Sequence, residues 1–168
     1  EAHQGDLSAV LLQNLNPLVN LIRVPKKPII LMDEWESKIK AIVENTWNKD
    51  VNSLSGVPSW MLVLIKAVLK KTGREYLTDV WPNLEVFFHG GISFEPYREQ
   101  YKTLIPSNKM HYMETYNASE GFFGLQDDPT DPSLLMMPDY GIFYEFIPMN
   151  EAAIKKGMEI ITNVQTCH

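Results

Sequence analysis

Tyr116-Asn117-Ala118-Ser119-Glu120-Gly121 sets an aromatic ring, a hydroxyl and a carboxylate within one short stretch. A flat ring suits a purine, and a hydroxyl suits a phosphate oxygen. A carboxylate suits Mg²⁺, which proteins usually hold by one or two carboxylates plus substrate phosphates. Upstream, Gly90-Gly91 follows an apolar run, Leu84-Glu85-Val86-Phe87-Phe88, and His89. Paired glycines let backbone approach a flat ligand closely, and open α/β sheets bind ligands just past the carboxyl ends of their strands. The same residues also read as a plain turn, two caps and a core tyrosine, and their types alone leave both readings open.

Other chemistries find less support. No GxxxxGK[ST] and no GxGxxG occurs, which argues against P-loop and Rossmann sites. Ser93, in Gly90-Gly91-Ile92-Ser93-Phe94, is not the GxSxG elbow of a serine hydrolase. His3, His89, His111 and His168 show no i, i+4 pair and no Cys partner, so zinc is not indicated. His89 and His111 read as hydrogen-bonded structural histidines. Cys167, the single cysteine, lies at a chain end, which suits neither an internal disulfide nor a catalytic thiol and makes a reducing compartment the default.

Those residues need a scaffold, and 168 residues with 45% hydrophobic and 21% charged side chains can supply a core. The net charge of -6, with basic residues only in short pairs such as Lys26-Lys27, argues against nucleic-acid binding. The longest apolar run, Trp60 to Ile65 extended by Ala67-Val68-Leu69, is far short of the ~20 residues that span a bilayer. The start lacks both Met and a signal peptide's basic and apolar regions, which reads as a processed or subcloned piece.

Hydrophobic spacing predicts helices over residues 7–23 (broken at Asn16-Pro17), from a cap at Asp33 to Trp47, over 59–71 and from Glu95-Pro96 to Leu104. Pro25 and Pro28 predict an extended stretch between the first two. The 59–71 helix is apolar almost all round up to Lys66, so its first half should be buried, with Trp60, Met61 and Leu64 as core or as the wall of an acyl pocket. Strands are expected at 51–54, 84–88, 110–116, 122–125, 134–137 and 142–147, and a last helical or extended segment at 151–164. Successive strand-helix-strand passages predict an α/β fold with a mixed, mostly parallel sheet and packed helices.

Four blocks, taken in order, carry a resemblance. They are Ser53-Leu54-Ser55-Gly56-Val57-Pro58-Ser59-Trp60; Trp81-Pro82-Asn83-Leu84 with Phe88-His89-Gly90-Gly91; Tyr116 to Gly121; and Phe143-Tyr144-Glu145-Phe146-Ile147-Pro148. The chain resembles the auxin-responsive acyl-acid amido synthetases of the adenylate-forming superfamily, most of all their bacterial members, beyond about residue 33. The resemblance implies a cytoplasmic ligase that uses ATP and Mg²⁺. A carboxylic acid would attack the α-phosphate of ATP to give an acyl-adenylate, and an amine or amino acid would displace AMP. Tyr116 would stack on adenine, Ser119 would contact the α-phosphate, and Glu120 would hold Mg²⁺. Gly90, Gly91 and Asn117 would join the nucleotide pocket, and Phe143 or Tyr144 would close it.

The family's Ser/Thr/Gly-rich phosphate loop and its later Tyr-Arg-x-Gly-Asp motif have no match here. Residues 1–168 are therefore expected to form one partial domain of the large N-terminal region, without the lid, and to be inactive alone. An acyl-CoA ligase differs only in its acceptor and stays open. So does a non-catalytic scaffold, for which exposed Phe122 and Phe123 would be the ground.

Overall fold

The computed structural model describes residue 14 and residues 16–145. The expectations for residues 7–13, 146–148 and 151–164, and for His3, Cys167 and His168, lie outside them. The chain divides into two compact units, Glu1–Met137 and Pro138–His168. Short helices open the described part of the first unit: α1 (Pro17–Ile22) and α2 (Lys27–Ile30). Asn16, at the expected break, is the N-cap of α1, its side chain accepting from the Leu18 N–H at 2.9 Å. The stretch expected to be extended turns helical, because Pro28 falls in the first turn of α2, where a missing N–H breaks no helical bond.

Helix α3 (Trp35–Thr46) has its cap one residue later than expected. Glu34, not Asp33, is the N-cap, accepting from the N–H groups of Glu36 (2.9 Å) and Ser37 (2.6 Å). A hydrogen bond from the Ser37 side chain, together with these backbone bonds, holds the Glu34 carboxyl below its ordinary range. Strand β1 (Ser53–Gly56) leads through Val57 into α4 (Pro58–Thr72), which ends on Gly73 at φ 66, a left-handed cap that glycine adopts without Cβ strain. A 3₁₀ turn, Leu77–Asp79, precedes β2 (Val86–Gly90); a second, Glu95–Tyr97, runs into α5 (Arg98–Leu104). Strands β3 (His111–Ala118), β4 (Gly121–Leu125) and β5 (Leu135–Met136) follow.

The strands form a mixed sheet in the order β1-β2-β3-β4-β5. The β1–β2 and β2–β3 pairs are parallel, joined by α4 and α5 as crossovers, and the fold class is α/β as expected, although the sheet is not mostly parallel. The β3–β4 and β4–β5 pairs are antiparallel. Parallel pairing ends where the helical crossovers end, since a two-residue hairpin can join only antiparallel neighbours. In the second unit, residues 142–145 carry no strand, against the expectation for 142–147.

The core lies between the sheet and its crossover helices. Ile65 and Val68 of α4, Leu77, Phe87 of β2 and Tyr101 of α5 have no solvent exposure. Two polar groups drawn into this core are paired: the Tyr101 hydroxyl donates to the Pro58 carbonyl (2.8 Å), and Trp81 Nε1 donates to the Thr46 carbonyl (3.1 Å). Two burial expectations are corrected. The first half of α4 is not buried all round, because Trp60 and Val63 remain exposed, Trp60 with the Trp35 ring of α3 against it. Phe122 and Phe123 are half-buried rather than exposed.

Candidate functional site

Strand register decides which candidate residues meet. Gly90, the last residue of β2, lies opposite Thr115 of β3. A Cβ at Gly90 would stand 2.3 Å from the Thr115 carbonyl oxygen and 2.9 Å from its Oγ1. The neighbouring strand therefore demands this glycine, and the Thr115 hydroxyl reinforces the junction by donating to the His89 carbonyl (3.1 Å). Gly91 differs. It turns at φ 81, and a Cβ there would meet only Val57 Cγ2 at 3.6 Å. Its backbone is the part of the pair left open to a ligand.

One residue past the Gly90–Thr115 pair, β3 presents Tyr116, a residue 56% exposed. The register between β3 and β4 slips at Tyr116/Asn117, passing from Tyr116↔Gly124 to Asn117↔Phe122. The slip leaves Phe123 as the extra residue of a bulge, a feature that re-aims side chains at sheet edges. Its ring lies 5.1 Å from that of Tyr116, tilted by 32°. Tyr116 is thus propped from one side and exposed on the rest. Ser119 and Glu120 are the two-residue turn that joins Ala118 to Gly121, and both are exposed, as is Asn117. Ser119 and Glu120 form the hairpin tip, and Tyr116 stands three residues before it on β3.

Among the described residues no group of three His, Cys, Asp or Glu side chains can hold a metal ion. Glu120 is an exposed single carboxylate at the hairpin tip. Phe143 and Tyr144 belong to the second unit, where Phe143 is exposed.

Beneath the Gly90-Gly91 turn lies a ring stack that the sequence did not reveal. His89 is buried and stacks on Phe94, with centroids 4.3 Å apart and planes 19° apart. Phe94 stacks in turn on Tyr112 (4.9 Å), and the Arg98 guanidinium lies 5.0 Å over the Phe94 ring. Burial, with a smaller contribution from the Arg98 charge, pushes the His89 imidazole down to about 4. His89 Nδ1 has no hydrogen-bond partner, which corrects the expectation of a hydrogen-bonded histidine. His111 is exposed and heads β3, at the other end of that strand from Tyr116. Period-two alternation of Phe87 and His89 was the available signal for a buried ring.

On the same edge as Val57, the first turn of α4 lines an apolar groove of about 440 Å³ with Trp35, Ser59, Trp60 and Val63. The Trp35 and Trp60 rings meet edge to face at 4.5 Å.

A mixed α/β sheet with an open glycine turn and an aromatic hairpin at the carboxyl edge of its parallel strands defines a domain of the α/β class. The family model for the GH3 family N-terminal domain matches residues 1–110, and the chain belongs to this family. It is the family of the auxin-responsive acyl-acid amido synthetases, adenylating ligases that join acids to amino acids. The match takes in Gly90 and Gly91 and stops before Tyr116. No curated protein and no solved structure matches the chain. Among the described residues no helix is long and apolar enough to cross a membrane.

Proposed function

We propose that this chain forms the adenine and acyl wall of an ATP-dependent acyl-acid amido synthetase. The carrying observation is the shared edge. The open Gly91 turn, the exposed Tyr116 ring and the Ser119–Glu120 hairpin tip all follow from strands paired at Gly90↔Thr115. In this reading the Tyr116 ring, backed by Phe123, stacks on adenine, and Gly91 lets backbone lie against the same base. The Ser119 hydroxyl donates to an α-phosphate oxygen, and Asn117 adds a polar contact to the nucleotide. Glu120 holds Mg²⁺ that enters with the nucleotide; the cation supplies neutralising charge at the phosphates. The groove of Trp35, Trp60 and Val63 receives the apolar body of the carboxylic acid.

Fluorescence titration of the chain with ATP, together with acid-dependent ATP–pyrophosphate exchange by the full-length protein, tests the reading. Base stacking on an aromatic ring is worth about 1–3 kcal/mol, so Tyr116→Ala should raise Kd for ATP roughly 10–100-fold. Glu120→Ala should abolish the Mg²⁺-dependent part of exchange. Unchanged exchange in Glu120→Ala together with unchanged affinity in Tyr116→Ala would overturn the assignment.

A further inference from the structure

Arg23 follows α1, and its Nε and both Nη atoms are buried without a hydrogen-bond partner. A guanidinium carries a permanent charge and five N–H donors in a rigid fork. Burying such a group unpaired costs several kcal/mol in real proteins. The neighbouring side chains make the placement stranger still. Leu21 is 74% exposed and Ile22 84% exposed, so this turn holds a cation inside and aliphatic side chains in water. Soluble chains ordinarily arrange the two the other way.

The local sequence supplies no counter-charge. No Asp or Glu occurs between Asp6 and Asp33, while Arg23, Lys26 and Lys27 all fall in that interval. Lys26 adds its ammonium to the same turn by donating to the Leu21 carbonyl (3.3 Å). A buried fork with unused donors, in a stretch with cations and no acid, is the receptor half of a charge-assisted pair. We infer that Arg23 is the anchor of a small-molecule oxoanion site, taking a carboxylate or phosphate through two parallel N–H···O bonds. The inference does not depend on the nucleotide reading, since none of its residues belongs to that edge.

The test is thermal unfolding of the full chain at pH 7 and constant ionic strength, titrating phosphate or acetate against chloride. The wild type should show a saturable rise in Tm, about 5–10 °C at an anion concentration about a hundred times Kd. The stronger of the two anions names the class. Arg23→Met keeps the length and removes the charge; it should unfold at or above the wild-type temperature in chloride and lose the saturable rise. Arg23→Lys keeps charge without the fork, so its half-saturating anion concentration should rise about 10-fold or more. Equal shifts in wild type and Arg23→Lys would overturn the proposal even if Arg23→Met failed to fold. So would a wild type indifferent to both anions, with Arg23→Met destabilised in chloride, which would show that the protein's own acceptors satisfy the guanidinium.

Discussion

Acidification should attack this fold through His89 before it reaches the carboxylates. The imidazole is buried against Phe94 and Phe87, and desolvation, aided by Arg98, pushes it from 6.5 down to about 4. Between those values the unfolded chain binds a proton that the folded chain refuses. Stability is therefore complete above pH 6.5 and falls as the pH drops toward about 4. The loss approaches 1.4 kcal/mol per pH unit, or about 3 kcal/mol over the whole window. That is a large fraction of the 5–15 kcal/mol typical of a domain. Below the window both states are protonated and this contribution levels off.

Urea unfolding at closely spaced pH values from 7.5 to 4 reads the effect as ΔG in water, with constant m confirming an unchanged unfolded state. His89→Phe keeps a ring on Phe94 and removes the titration, so the variant should lose the slope between pH 6.5 and about 4.5. Below that range Glu34, Glu95, Asp128 and Asp131, all held down by hydrogen bonds, add their own losses in both proteins. The difference between the two curves isolates the imidazole. Parallel curves down to pH 4.5, or a His89 ring-proton titration centred near its ordinary value, would refute the burial argument.

Two further outcomes test the scaffold of the site. Gly90→Ala drives a Cβ into the Thr115 carbonyl and should cost about 2–3 kcal/mol in urea unfolding, with hydrogen exchange rising at the β2–β3 junction; wild-type stability would contradict the register described. Gln126 is buried; its Nε2 donates to the Asp128 (2.9 Å) and Asp131 (2.8 Å) carbonyls while Oε1 accepts from the Glu114 N–H (3.1 Å). Gln126→Ala should cost about 2–4 kcal/mol and make the 127–132 turn a preferred proteolytic site; an unchanged cleavage pattern would show that the turn holds itself.

What the sequence disclosed tracks how locally each feature is determined. Pro58 and Gly73 bracket α4 because both act through their own φ, and β-period runs located the strands to within a few residues. The Ser119–Glu120 turn was legible for the same reason. Features set by register were not. Whether Gly90 is glycine for a ligand or for a neighbour depends on which β3 residue lies opposite it, and only the pairing with Thr115 answers that. Phe123 reads as one more apolar strand residue until the bulge turns it into the prop of Tyr116.

The two glycines consequently carry different evidential weight for function. Gly90 would be required in any protein with this β2–β3 junction, active or not, so its presence argues for the sheet. Gly91 is not required by contact, since a Cβ there would find ordinary packing distance at Val57 and only the left-handed φ favours glycine. An open left-handed turn beside a propped, exposed tyrosine has no packing reason to exist. That surplus over what the fold needs, more than the motif as a string, makes the edge beside Tyr116 the place to look for a nucleotide.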